Sequence, residues 1–504
     1  MPNHIILRQQ VVLNLSMQQD ACAVQNAVSA LFKKEIPEII EKVLDEIVPG
    51  KEIIRIDLLQ LDLGVTDVQN FQQSFKERFE EEIRKAIENE KNQTAGSSNN
   101  SILPQAQSFR EALAYFLENG TRAWYSTAKN LRDWEREMLQ HFEEQDWKAI
   151  TMWLKENNAS PVIVKRLAAQ FSDIFLKKLL AAVPTEIYVA GIDLYVDLFS
   201  AFNQLPLLRR SGLREIIWVN CFATFINSTP VLNQHQKINR LFSLVQSIAT
   251  QSGVSVKESR KLKYLTFPGN NLLAIAIKKL VESISHESGK LESFEEANDV
   301  YSTQHFTGNI EYPKEEDSHT GNKEIKTKAI KYSNESMPGV EYVHCSGVVL
   351  LHPFLEMYFD ELKLLNSRKF ISRDACRKAV LLLHFLTTGA TEVAEFDLTL
   401  QKIVCNLSAE ETLPDKLTLT ETERLESENL LQSVIDHWPP LNRTSVEGLR
   451  NTFLQREGIL SFKENGWLLT IEQTTIDILL DKLPWGFSTI RLPWMDNILS
   501  VDWC

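Results

Sequence analysis

The sequence is sparing with cysteine: six in 504 residues, at Cys22, Cys221, Cys345, Cys376, Cys405 and Cys504. No two have CxxC spacing, and the density is far below that of a disulfide-stapled secreted domain. The start, Met1-Pro2-Asn3-His4-Ile5-Ile6-Leu7-Arg8, lacks a basic region followed by a long apolar core, so no signal peptide is expected. No window approaches ~18 uninterrupted apolar residues, so no membrane span is expected. Positive charge is scarce as well: 54 Lys plus Arg stand against 67 acids, a net charge of -13. That balance speaks against a general grip on nucleic acid or on an anionic membrane. Folding in a reducing cytoplasm is the simplest expectation.

Catalytic signatures are also missing. There is no HExxH, GxSxG or dinucleotide fingerprint. Gly321-Asn322-Lys323 has neither the preceding glycine nor the following hydroxyl of a phosphate loop. His344, Cys345 and His352 lie close together, but nothing nearby adds ligands at zinc spacing. His384 and Cys405 would form a base–nucleophile pair only if the fold joined them. Asp57 and Asp62, five apart, point to opposite faces of a regular strand. Neither catalytic residues nor a metal or cofactor site is expected, and the chain reads as no enzyme.

What is present is an apolar fraction of 43%, enough to bury cores. At ~150 residues per domain the length implies roughly three domains. The expected fold is mainly α and multi-domain. A small N-terminal α/β module (residues 1–91, strand-helix-strand-helix) precedes a flexible linker (92–107) and a helical array (108–286). A tether (287–339) then leads to an α+β C-terminal module with a β-hairpin (340–504).

The patterns behind these boundaries are local. Apolar residues alternate from Ile5 to Leu15, as in a half-buried strand. A helical stripe runs from Ala21 to Ile47, and Pro37 predicts a kink or two abutting helices. From Ile53 to Leu63 the alternation changes phase near Leu58, which predicts a β-bulge or a change of strand partners. Asp67 can cap a helix with Val68, Phe71, Phe75, Phe79 and Ile83 on its buried stripe. A two-stranded sheet is marginal alone, so this module is expected to pair with itself in an oligomer or to cover its sheet with both helices. Asn92–Ser101 is polar and Gly/Ser-rich.

From Ser108 to about His286, helical period prevails, broken by Gly, Asn and Pro, as in a helical repeat or bundle. Glu287–Met337 has no sustained period. Residues 459–464 and 467–472 flank Asn465-Gly466, and a two-residue loop sets Phe462 opposite Leu469 and Leu460 opposite Ile471, with Trp467 on the same face. A weak echo links residues 112–121 with 381–390; both are an apolar helix ending at glycine, which fits either duplication or two ordinary C-caps.

The tail repeats Leu-Pro-Trp at 483–485 and 492–494, and Trp503 follows. Trp485, Trp494, Trp503 and Trp467 either close the C-terminal core or anchor another chain, and the two roles are compatible.

Two stretches carry a resemblance. His4-Ile5-Ile6-Leu7-Arg8-Gln9-Gln10-Val11-Val12-Leu13-Asn14-Leu15 followed by Ile53–Gly64 resembles the N-terminus of the contractile injection system tape measure family. The C-terminal part is closer, through Val349–Leu355, His437-Trp438-Pro439, Thr444–Arg450, Phe453–Gly458 and Leu483-Pro484-Trp485-Gly486. Coverage is roughly the first ninety and last one hundred and sixty residues, with the middle similar only as a helical region. The resemblance implies a structural assembly component of a phage-tail-like particle, setting the length of inner tube and sheath. It implies tube, baseplate and spike proteins as partners, and no catalytic residues. Assembly is expected in the bacterial cytoplasm, followed by a place inside the particle and release with it. An alternative is a helical adaptor or assembly chaperone of the same particle. A fully helical chain would reach ~750 Å at 1.5 Å per residue; the sequence nevertheless lacks the sustained heptads of a rod.

Overall fold

The computed structural model describes residues 21–47, 52–64, 71–93, 101–183, 193–295 and 340–503, short gaps inside these ranges excepted, together with five positions between 4 and 12. Contacts divide the chain into two compact units. One comprises Met1–Val183, Phe225–Asn227 and Met337–Cys504, the other Pro184–Thr224 and Ser228–Ser336. The helical stretch 108–286 is therefore shared between units, its first part packing with the C-terminal segment.

The N-terminal helical stripe forms two helices, α1 (Ala21–Lys34) and α2 (Ile36–Ile47), broken at Glu35. Pro37 is the second residue of α2, where its missing N–H costs nothing. A short strand β1 (Glu52–Arg55) and a long helix α3 (Phe71–Gln93) follow. Leu31, Ile36, Ile40, Val43 and Ile47 meet Phe75, Phe79, Ile83 and Ile87 in one core. Phe32 sits edge-on to both Phe75 and Phe79, at 5.9 Å. The phase change near Leu58 is real: Leu58 is 76% exposed, while Leu59, Leu61 and Leu63 pack on that core. Its cause differs from the expectation, because β1 ends at Arg55 and the alternating leucines follow in extended chain without strand pairing. Asp67 and Val68 lie outside the described residues. So does most of the strand expected over Ile5–Leu15; its described positions carry no strand assignment.

The expected linker 92–107 is shortened from both sides. α3 runs to Gln93, and Ser101–Pro104 forms strand β2, antiparallel to β1. The polar composition of 92–101 hid this, because Ile102 and Leu103 lie just beyond it, opposite Ile54 and Ile53. Arg55 on β1 ion-pairs with Glu111, donates to Ser108 Oγ (2.8 Å) and stacks on Tyr125 (3.5 Å to the ring centroid). These contacts fix the small sheet on helix α4 (Gln105–Asn119).

Four more helices continue the first unit: α5 (Leu131–His141), α6 (Glu144–Glu156), α7 (Pro161–Gln170) and α8 (Asp173–Ala181). Their starts are written locally. Asn130 and Ser172 accept N-terminal backbone N–H groups, Glu143 and Asp146 form a reciprocal capping box, and Pro161 opens α7. Phe116, Trp134, Phe171 and Phe175 form an aromatic core.

The second unit contains α9 (Leu194–Asn203), most of α10 (Leu213–Phe225), α11 (Gln234–Ser252), α12 (Val256–Leu262) and α13 (Asn271–Glu295). Tyr195 stacks on Trp218 at 4.5 Å, and Asn220 hydrogen-bonds Ser247 and Gln251 between helices. α13 extends nine residues past His286, into the expected tether, whose remainder lies outside the described residues.

The C-terminal segment returns to the first unit with strand β3 (Val340–Val343), helix α14 (His352–Glu361), a small ladder of β4 (Leu365–Asn366) and β5 (Lys369–Phe370), and helix α15 (Arg373–Thr388). Apolar on every side from Ala379 to Leu383, α15 is the buried central helix. Helices α16 (Thr399–Val404), α17 (Glu421–His437) and α18 (Val446–Leu449) surround it, and a π-helical turn follows at Arg450–Leu454. Strands β6 (Gly458–Lys463), β7 (Gly466–Ile471), β8 (Thr489–Ile490) and β9 (Ile498–Asp502) complete a sheet in the order β3-β6-β7-β9-β8.

The β6–β7 hairpin forms, but its register is moved by one residue on each strand. Phe462 faces Trp467, Leu460 faces Leu469, and Lys463 faces Gly466. Moving both strands keeps every side chain on its expected face. Gly466 is consequently a strand residue, at φ 135°, and a Cβ there would lie 2.4 Å from the carbonyl oxygen of Ile498 on the parallel neighbour β9. Close approach of a third strand, not turn geometry, uses this glycine.

Candidate functional site

The four tryptophans singled out by the tail divide by burial. Trp494 and Trp503 lie inside the C-terminal core, whereas Trp485 and Trp467 are partly buried against it. Three indole N–H groups are satisfied within the chain. Trp494 donates to Val404 O (2.9 Å), Trp485 to Leu350 O (3.1 Å) and Trp503 to Asp477 Oδ2 (3.3 Å). For Trp494 and Trp503 these acceptors satisfy a buried indole. Trp467 differs: it lies at the hairpin end beside Phe462, which is 53% exposed, with ring centroids 4.9 Å apart.

The segments that carry the family resemblance converge. Phe354, from Val349–Leu355, meets His437 at 5.9 Å and Trp485 at 5.2 Å. Trp438 is fully buried, donates to Leu479 O (3.2 Å) and packs on Phe453 at 4.7 Å. In Thr444–Arg450, Ser445 caps α18, and the π-turn then places two buried arginines. Arg450 donates to Leu386 O (3.1 Å) and Glu428 (3.0 Å); Arg456 pairs with Asp477. The unusual motifs are thus mutual packing partners, brought together from 349 to 485.

Sequence reasoning missed the polar centre that joins residues 105–183 to the C-terminal segment. Arg166 on α7 is fully buried. Its Nε faces Glu395 Oε1 (3.2 Å), its Nη1 donates to Leu117 O and Glu118 O, and its Nη2 donates to Glu410 O (3.0 Å). Lys402 donates to the same Glu395 oxygen (2.8 Å) and to Ala409 O (3.0 Å). Burial holds the Lys402 ammonium below the usual lysine range, and Glu395 opposes that shift. One turn beyond Arg166, Gln170 donates to Leu413 O (2.8 Å) and accepts from the Glu395 backbone N–H (2.8 Å). Phe396 inserts beside Phe116 and Trp134, at 5.5 and 6.2 Å. Nearer the surface, Arg122 donates to Asp397 (2.9 Å) and His344 Nε2 (2.8 Å), and His344 Nδ1 meets Glu457 (2.7 Å). A signal for this clasp did exist: Arg166 and Gln170 are polar, four apart, and flanked by Ile163, Val164, Leu167, Ala168 and Ala169.

The clasp also gives the internal echo a geometric meaning. α4 ends at Gly120 (φ 75°) and α15 at Gly389 (φ 73°), both left-handed. In each case a buried arginine from a later helix donates to the carbonyl three residues before the glycine, Arg166 to Leu117 and Arg450 to Leu386. Orphan C-terminal carbonyls are thereby satisfied twice by the same device. A Cβ at Gly120 would lie 2.8 Å from Arg166 Nη2.

His384 and Cys405, the candidates for a base–nucleophile pair, are both buried. Burial pushes the pKa of His384 down to about 4 against the opposing pull of the Glu392 backbone. Cys405 is fully buried, which raises its thiol well above the usual range. His352 Nδ1 faces Val349 O at 2.9 Å. Among the described residues, no group of three or more His, Cys, Asp or Glu could hold a metal ion, and no helix is long and apolar enough to cross a membrane.

No curated protein and no solved structure compared with the chain matches it. A family model described as contractile injection system tape measure protein does, over residues 3–503. That match takes in the helical middle as well as the two ends on which the resemblance rests. The chain belongs to the contractile injection system tape measure protein family and has a structural, assembly role in such a particle.

Proposed function

We propose that this protein controls tube and sheath length while folded, with its first unit serving as an anchoring body. The clasp carries this reading: Arg166 and Gln170 bind Glu395, Glu410 and Leu413 across more than 200 residues of sequence. Drawing the whole chain out as a fibre would break it and would leave Glu395 and several buried carbonyls without their donors. Residues 184–336 remain as the part whose length can vary without touching the clasp. The partners are tube, baseplate and spike proteins, and association with further copies of this chain goes through the N-terminal sheet. Assembly takes place in the bacterial cytoplasm, and the protein is then enclosed in the particle. No bond is made or broken by its side chains.

The same folded state also favours a helical adaptor or assembly chaperone that leaves before the particle matures. Duplicating or deleting α11–α13 in the producing cell separates the two. Particle length that follows the insert in electron micrographs supports length control. Unchanged length with fewer particles supports the chaperone. Light scattering on the purified chain checks self-association.

A further inference from the structure

A cavity of about 220 Å³ opens beside the sheet of the C-terminal segment. Glu341 on β3, Thr399 and Lys402 on α16, Asn406, Trp467 on β7 and Asn497 supply its character. It is smaller than the ~300–1,000 Å³ of small-molecule and cofactor sites, and so suits a single side chain.

Its charged lining residues are Glu341 and Lys402. Glu341 Oε2 is buried and has no hydrogen-bond partner among the described residues. Burial raises the pKa of this carboxyl above the usual carboxylate range, and Thr399 and Lys402 only partly offset the shift. The nearby ammonium of Lys402 is already engaged by Glu395 and Ala409 O, so it is a poor receptor for an anion. Asn406 of the lining donates to Asp496 (3.0 Å), a second carboxylate one hydrogen bond away from the wall. The apolar part of the wall is Trp467, whose neighbour Phe462 is exposed, with Ile403, Leu407 and Met495. A buried carboxyl with one unpartnered oxygen, beside an aromatic side chain, is the complement of an alkyl cation.

We infer that this cavity receives a lysine or arginine side chain of a partner polypeptide, its charged end on Glu341 and its aliphatic stem on Trp467. The net charge of -13 favours the approach of a basic partner. The acid in the cavity and the exposed Phe462 against Trp467 together specify a basic residue next to an apolar one. The inference concerns binding by the purified chain and stands apart from the role in length control.

Calorimetric titration of the full chain with N-acetyl-lysine methylamide and N-acetyl-arginine methylamide tests it. Saturable binding is expected, with no response to the neutral norleucine analogue. Glu341→Gln keeps the shape and should weaken binding roughly tenfold or more. Should that variant fail to fold, Asn497→Asp adds an acid at the mouth and should tighten binding. Equal binding by Glu341→Gln or by norleucine, or no tightening in Asn497→Asp, overturns the assignment. Binding of free diamines with none of the capped amino acids overturns the polypeptide source.

Discussion

Arg166→Met is the most direct test of the clasp, because methionine keeps much of the volume and removes all the donors. The guanidinium is fully buried and supplies Glu395, Leu117, Glu118 and Glu410. Removing one member of a buried ion pair costs about 3–5 kcal/mol. Each buried carbonyl left without a donor adds ~1–3 kcal/mol where water cannot reach it. Lys402 still neutralises Glu395, and of the three carbonyl contacts only that to Leu117 is fully buried. The total is therefore the low end of the ion-pair cost plus that of one carbonyl, about 4 kcal/mol. For a folding unit this large, ~2 °C of melting temperature is lost per kcal/mol, so a fall of roughly 8 °C is expected. Urea and thermal unfolding, followed by tryptophan fluorescence and far-ultraviolet dichroism, measure it. Trp134 and Trp494 report on the two sides of the clasp. A cycle with Glu395→Gln should show coupling of ~1–3 kcal/mol. A loss below ~1 kcal/mol, or strict additivity with Glu395→Gln, would refute the claim that this cluster holds the two segments together.

Three further outcomes are expected. His384 is neutral in the fold, with a pKa of about 4 against 6.5 ordinarily. Its depressed value means that stability is complete above 6.5 and falls as pH drops towards about 4, by ~3 kcal/mol in all. His384→Leu should flatten that part of the acid limb in urea titrations at stepped pH; an unchanged limb contradicts it. Gly466→Ala should cost about 2–4 kcal/mol, since its Cβ meets Ile498 O at a positive φ, with faster amide exchange along β9 as the local sign. Trp494→Ala should cost ~3–5 kcal/mol, more than Trp485→Ala, because Trp494 is the more buried. If both variants keep wild-type unfolding midpoints but no longer co-purify with particle proteins, the indoles dock a partner instead of closing the core.

Much of the local structure was legible because it is encoded over a few residues. The α1–α2 break follows from Pro37, and the buried stripe of α3 from phenylalanines at helical spacing. Family membership was legible at both ends through long, chemically odd runs. The hairpin was legible in its existence and facing but not in its register, since Asn465-Gly466 satisfies a local turn rule while Ile498, more than thirty residues later, needs Gly466 in the strand.

The sequence by itself determined that this is a mainly helical chain with an acidic balance, a small strand-bearing start and a tryptophan-rich end. Each of those depends on periodicity or composition within a short window. Only the tertiary structure decided what the polar residues do. The fold removes water from Arg166, Gln170, Glu395 and Lys402 and joins them by hydrogen bonds through Glu395. Likewise the burial of Trp494 and Trp503, with Val404 O and Asp477 Oδ2 within reach of their N–H groups, is a feature of the packed chain and of no local pattern. Side-chain chemistry is local, but desolvation is a property of everything packed around it.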